Sequence, residues 1–209
     1  MGKKIVILNG SPRKNGNTSA LVRSFTDGAE SAGNTVAEFH LGSMDIHGCK
    51  GCFGGHSDRE CPCVQKDDMV EIYPAVKECD VVVLASPLYY WNMSGQLRTA
   101  VDRLFYCSES RMAGKLAASV VSCRRGGASA AFDRLNKYFT ICNMHIVGSQ
   151  YWNQVHGFTP DDVRKDGEGL QTMRTLAKNM AWLLKNIDEG RKQGISAPIY
   201  EERIHTHFI

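Results

Sequence analysis

The residues able to do chemistry in this 209-residue chain gather in three short stretches and one cysteine loop. The first stretch is GSPRKNGNTS, Gly10 to Ser19, directly after the apolar run Ile5 to Leu8. A nucleotide P-loop needs G-x-x-x-x-G-K-[ST]. Here five residues separate Gly10 from Gly16, and Asn17 stands where the lysine belongs. Without that lysine nothing reaches the outer phosphates of a triphosphate, so NTP hydrolysis is not expected. A G-x-G-x-x-G dinucleotide fingerprint is also absent. What remains suits one terminal phosphomonoester: free amides at a helix start, neutral donors from Ser11, Asn17, Thr18 and Ser19, and the forked cation of Arg13. The plainer reading is a strand–helix turn capped by Asn17 or Thr18.

The second stretch, SPLYYWNMSG, follows the apolar run DVVVLAS. Pro87 stops the strand, and Leu88, Tyr89, Tyr90 and Trp91 can sandwich a flat heterocycle whose polar rim Asn92 would meet. Alternatively these aromatics pack under the loop or into a subunit contact. The third stretch is SCRRGGA. Ser122 ends a strand, Arg124 and Arg125 bring positive charge, and Gly126 and Gly127 allow close backbone approach before a helix at Ala128. Beside a flavin such a positive loop stabilises the charge that reduction places near N1 and O2. The other reading is a solvated arginine pair.

Four of the eight cysteines, Cys49, Cys52, Cys61 and Cys63, crowd into one loop. Closely paired cysteines can hold zinc or an iron–sulfur cluster, with His47 and His56 as further zinc candidates. The preferred alternative is a loop of reduced thiols shaping the wall of the site. The dispersed Cys79, Cys107, Cys123 and Cys142 read as small packed thiols.

These stretches must be positioned by a sheet. Strand patterns at Lys4–Leu8, Thr35–His40, Asp80–Ser86, Leu116–Ser122 and His145–Ser149 alternate with helical ones. The helices are expected from Thr18 to Ala32 with Gly33 ending it, from a capping box at Asp68 and Glu71, from Ser94 to Phe105, and from Ala128 to Ile141. A long stripe from Leu170 to Ile187 completes the set, and Pro74 is expected to break or restart its helix. Strands separated by helices imply parallel crossovers and a sheet covered on both faces. Ligands then gather beyond the carboxyl ends of the strands, where the three stretches should meet. Residues 1–209 read as a single domain with a cysteine-rich loop at 41–66 and an irregular tail at about 194–209, which could dock on the body or a second subunit.

A formal net charge of +3 argues against nucleic acid or membrane as partner, and no export signal stands out. The expected location is cytoplasmic.

A monophosphate cradle, an aromatic slot and a positive glycine loop together describe FMN. GSPRKNGNT, SPLYYWNMSGQLRTAVDR and the RRGG loop resemble the NAD(P)H-dependent FMN reductases. The resemblance implies an α/β flavodoxin-like three-layer sandwich with a five-stranded parallel sheet in the order 2-1-3-4-5. It implies hydride transfer from NAD(P)H through FMN to a small acceptor (quinone, flavin, azo or nitro aromatic, or metal ion) in a homodimer or homotetramer. It places Ser11, Arg13, Asn17 and Thr18 at the phosphate, Pro87 to Asn92 along the ring, and Arg124 to Gly127 closing it. No protein side chain is expected to be catalytic, because the flavin carries the chemistry. A flavodoxin-like electron carrier is the alternative, although carriers of that type tend to be acidic. The cysteine loop is similar to that of the iron–sulfur flavoproteins, relatives of these reductases with the pattern C-x2-C-x2-C and then a fourth cysteine. Here the third position is Gly55, and Cys63 is additional.

Overall fold

The computed structural model describes residues 2–55, 62–202 and 204–208, apart from the side chains of Glu109 and Ser110. Strands β1 (Lys4–Asn9), β2 (Thr35–His40), β3 (Val81–Pro87), β4 (Leu116–Cys123) and β5 (His145–Ile146) form a parallel sheet in the order β2-β1-β3-β4-β5. Helices α1 (Asn17–Ser31) and α6 (Gly167–Lys192) cover one face. Helices α2 (Met69–Glu78), α3 (Gly95–Met112) and α4 (Ala128–Ile141) cover the other. This is the expected flavodoxin-like sandwich.

Two apolar clusters explain the unbroken hydrophobic runs. Ile5, Ile7, Val81 and Val83 point to the α1/α6 side and pack with Leu21, Phe25, Met173 and Leu176. Their neighbours Val6, Leu8, Val82 and Leu84 point to the α2–α4 side with Ile72, Leu97, Leu104 and Leu135. A strand buried on both faces has no polar side to show. The pairing Asn9 with Ala85 and Ala85 with Val120 brings β1, β3 and β4 to one edge together. The three loops therefore leave the sheet side by side.

Several local expectations are corrected. The fifth strand is not one run from His145 to Ser149. β5 ends at Ile146, and β6 (Gln154–His156) resumes pairing with the carboxyl half of β4. The intervening residues leave the edge and return, exposing Tyr151 and Trp152. A short helix α5 (Pro160–Lys165), closed by a capping box at Thr159 and Asp162, then leads to α6. Pro74 lies inside α2 without ending it, since the buried face of Ile72, Tyr73 and Val76 outweighs one lost hydrogen bond. Asp68 does not cap α2, because its carboxylate accepts from the Asp45 amide at 2.7 Å. Asp67 instead accepts from the Met69 amide. α3 runs on past Phe105 to Met112, with a non-helical residue at Ser108. In the tail, Ile195, Pro198 and Tyr200 line a cavity of about 440 Å³ with Trp182 and Ile187 of α6.

One buried ion pair fastens the cysteine-rich loop to α3. Arg103 is 1 % exposed, and its guanidinium takes both carboxylate oxygens of Asp67, with the His47 carbonyl 2.8 Å away. Burial alone would raise the Asp67 pKa, but the Arg103 guanidinium and the His47 and Met69 amides pull it down to about 2. A carboxyl held below its unfolded value stabilises the fold above about pH 4 and loses that contribution as the pH falls through about 2. Leaving Arg103 buried without its partner is costly. Asp67→Asn is expected to lower the unfolding free energy at neutral pH by about 3 kcal/mol. Urea titration measures this, and the gap between variant and parent should narrow below pH 4.

Candidate flavin site

The first loop is built on Asn9, which is fully buried and which the sequence reading did not single out. Its Oδ1 accepts from the Ser11 amide at 3.0 Å, and its Nδ2 donates to Ser19 Oγ and to Glu38 Oε1. Gly10 follows, donating its amide to the Ala85 carbonyl and accepting from Ser94 Oγ at 2.6 Å. A Cβ at Gly10 would lie 2.5 Å from Leu97 Cβ, so only glycine allows the loop to rest on the start of α3. Ser94 meanwhile caps α3 as expected, accepting from the Leu97 amide.

Helix α1 opens from Gly16, and no side chain caps it. Its first amides therefore keep their donor capacity for a ligand, in line with the helix dipole. The predicted phosphate residues divide into two groups. Thr18 and Ser19 are buried and have partners in the scaffold: Thr18 Oγ1 lies 2.9 Å from Ser122 Oγ, and Ser19 Oγ accepts from Asn9, which leaves the Ser19 proton free. Ser11 is also buried, its hydroxyl bonded to the Arg13 backbone. Arg13 is exposed at the rim, while Asn17 Nδ2 donates to the Gly157 carbonyl at 2.7 Å. Of these hydroxyls only that of Ser11 both donates and accepts within the loop, so the Ser19 O–H and the backbone amides keep donor capacity.

In the second loop Tyr89 and Asn92 exchange both backbone hydrogen bonds at 2.9 Å around Tyr90 (φ +46°) and Trp91 (φ +59°). Positive φ at both central residues makes a tight turn that normally takes Asn-Gly. Two aromatics there store strain, a pattern associated with binding sites. Tyr90 is 96 % exposed. Leu88 donates its amide to the Ser122 carbonyl, which joins this loop to the third.

The third loop carries exposed Arg124, Arg125 and Gly126, then Gly127 at φ +100° as the N-terminal cap of α4, again with no side-chain cap. A Cβ on Gly127 would sit 3.1 Å from Leu88 Cδ2 and 3.2 Å from Trp91 Cδ1. The indole therefore rests on the glycine, and Arg134 donates to the Trp91 carbonyl. The Arg124 guanidinium lies 5.6 Å from the centroid of the Phe158 ring. Gly157 and Phe158 form a fourth wall that was missed in the sequence.

At the cysteine loop, Cys49 and Cys52 are exposed and Cys63 is half-buried. Cys61 and His56 lie outside the described residues. Cys63 Sγ accepts from Arg103 Nη2 at 3.3 Å. Burial raises the Cys63 thiol pKa, but the Gln65 amide, the Arg103 guanidinium and the Tyr73 hydroxyl outweigh it, leaving the pKa lowered. His47 faces the carboxylates of Asp67 and Asp45 rather than the thiols. Cys79, Cys123 and Cys142 are buried thiols as expected, whereas Cys107 is half-buried against this loop. Among the described residues, no three His, Cys, Asp or Glu side chains form a group that could hold one metal ion.

Residues 3–159 match the family described as NADPH-dependent FMN reductase. An iron-sulfur flavoprotein of Methanocaldococcus jannaschii is 30% identical over 194 residues, covering 88% of this chain and 98% of that one. Among solved structures, RosB with a bound 8-demethyl-8-formylriboflavin-5'-phosphate superposes with a TM-score of 0.74 at 14% identity, covering 98% of this chain and 92% of that one. An NAD(P)H:quinone oxidoreductase of Methanothermobacter marburgensis gives 0.66 at 17%, covering 86% and 98%. The two structures bear on the fold; the sequence matches bear on descent. The chain belongs to the NADPH-dependent FMN reductase family and is an FMN-binding oxidoreductase.

Proposed function

We propose that the chain passes a hydride from NAD(P)H through bound FMN to a small acceptor, a quinone, a free flavin, an azo or nitro aromatic, or a metal ion. The observation that carries this reading is the meeting of an uncapped helix start with an aromatic turn resting on Gly127. The residues present fit FMN. The open amides at 17–19, with Arg13 and Asn17 at the rim, suit a doubly charged phosphate. Leu88, Tyr89 and Trp91 offer an apolar wall, and the missing side chain at Gly127 lets Leu88 and Trp91 close against the third loop.

When bound, FMN supplies acceptance of two electrons from a nicotinamide and their delivery onward. The protein's part is to bind and to bias. Arg124, Arg125 and the start of α4 set a positive field on one side of the slot, which favours a reduced, anionic ring. Thr18 and Ser122 join the phosphate loop to the third loop, and Leu88 joins the second loop to the same Ser122, so the two ends of the ligand would meet loops held to one another. The exposure of Tyr90 and Arg124 leaves the outer face open to nicotinamide and acceptor in turn. Exposed Trp91, Tyr151, Trp152 and Phe158 along this edge support a homodimer or homotetramer assembled near the site. Among the described residues no helix is long and apolar enough to cross a membrane.

The purified protein is expected to show flavin absorption that bleaches on anaerobic addition of NADPH or NADH. Bands that persist with both donors would contradict the reading. Arg13→Ala should weaken FMN binding about tenfold or more, the size of a lost charged hydrogen bond, and Arg125→Ala by less. Equal losses by fluorescence titration would count against the phosphate assignment. Replacing the strained pair by Tyr90→Asn with Trp91→Gly should raise apoprotein stability by about 1 kcal/mol while weakening FMN binding. A fall in stability on chemical denaturation would show that the turn is not strained.

A further inference from the structure

The loops at the carboxyl edge of the sheet carry charge of one sign. Residues 10–19, 87–94, 122–128 and 147–160 include Arg13, Lys14, Arg124 and Arg125 but no aspartate or glutamate. All four cations are exposed, and none makes an ion pair among the described residues. One phosphate dianion, met by Arg13 and the amides of α1, answers only part of that charge. A cleft lined by a single sign gathers counter-ions, so the edge has capacity for a second anionic group.

Arg124 is the cation whose place the fold settles. β4 and β6 pair with Cys123 opposite His156, so Arg124 and Phe158 leave the sheet side by side. The Gly157 amide donates to the Cys123 carbonyl at 3.0 Å, and the Gly157 carbonyl accepts from Asn17 Nδ2 at 2.7 Å. Phe158 is 73 % exposed, and its ring centroid lies 5.6 Å from Arg124 Cζ. The ring limits where the guanidinium can go, while the N–H fork has no acid to receive it. A fork held ready in this way loses little freedom when a ligand arrives. Guanidinium suits a phosphate with two parallel hydrogen bonds, and an exposed phenyl ring suits a flat heterocycle. The ligand that satisfies both carries a planar ring and a phosphate dianion close together.

We propose that Arg124, held against Phe158 and assisted by Arg125, receives the 2′-phosphate of NADPH, with the adenine beside the Phe158 ring, and so makes the chain select NADPH over NADH. The two donors differ only in that phosphate, and a group that reads it decides between them. The proposal rests on the flavin-site reading and adds to it a specificity-determining residue. The positive field that Arg124 lends the flavin is the same whichever donor arrives, so it cancels when the two donors are compared.

Two measurements on the FMN-loaded chain test it. Calorimetric titration with adenosine 2′,5′-bisphosphate and with adenosine 5′-monophosphate, neither of which reacts, isolates the 2′-phosphate. The parent is expected to bind the bisphosphate about tenfold or more tighter, the size of a charged hydrogen bond, and Arg124→Ala should bring the two affinities together. Steady-state rates give the ratio of kcat/KM for NADPH to that for NADH. That ratio should fall about tenfold in Arg124→Ala, mainly through the KM for NADPH, and Arg124→Lys should recover part of it. Phe158→Leu, which keeps an apolar side chain but no ring, should lower it about threefold. Equal binding of the two nucleotides by the parent, or an unchanged ratio in Arg124→Ala, overturns the proposal, and bleaching of the flavin by either donor then leaves the flavin reading intact. Loss of FMN from Arg124→Ala with the donor ratio held would assign the arginine to the flavin alone and overturns it too. A flavin that neither donor reduces would instead overturn the reading beneath it.

Discussion

The amides that open α1 have no side chain to receive them, and the surrounding structure keeps them that way. Gly16 supplies the cap position without a capping group. Asn9 spends both ends of its amide on Ser11, Ser19 and Glu38, which removes the nearest polar side chains from competition. Donors at a helix start that are denied internal partners must take water or an anion. That unfilled capacity gives the loop its purpose, and the fold delivers it to the sheet edge where two further loops arrive.

Packing converts the capacity into a shaped site. Gly10 sits too close to Leu97 for any side chain, which fixes the phosphate loop against α3. Thr18 reaches Ser122, Leu88 takes the Ser122 carbonyl, and Trp91 lies on Gly127. The first contact ties the phosphate loop to the third loop and the other two tie the second loop to the third, so none can shift alone. The left-handed conformations of Tyr90 and Trp91 are tolerated because the flanking strand end, the Tyr89–Asn92 pair and Arg134 all hold the turn in place.

Much of the architecture was legible in the sequence because it follows from repetition. The runs through Ile5–Leu8 and Val81–Ala85 are apolar at every step, which only a sheet covered on both faces explains. Capping by Ser94 and the loops after β1, β3 and β4 could likewise be read from residue type and spacing. What could not be read depends on partners far along the chain. That Thr18 and Ser19 also have partners in the scaffold depends on Ser122 and Asn9, which lie opposite them. The last strand looked continuous because its short pieces carry little pattern, yet it breaks into β5 and β6 and brings in Gly157 and Phe158. Cys107 passed for an ordinary helix thiol, since nothing in spacing reveals that Gly55 lies against it.

The Arg103–Asp67 pair shows how one side chain serves both stability and position. It anchors the cysteine-rich loop on α3 and, with the same guanidinium, reaches Cys63. The flavin edge and the cysteine edge therefore share α3 as a common support, Ser94 at one end and Arg103 and Cys107 farther along. The central claim is nevertheless the phosphate. Calorimetric titration of the apoprotein with FMN and with riboflavin, at one ionic strength, isolates it. The account predicts that FMN binds about a hundredfold or more tighter, since only FMN can satisfy the amides of α1. Equal affinities for the two ligands would contradict it.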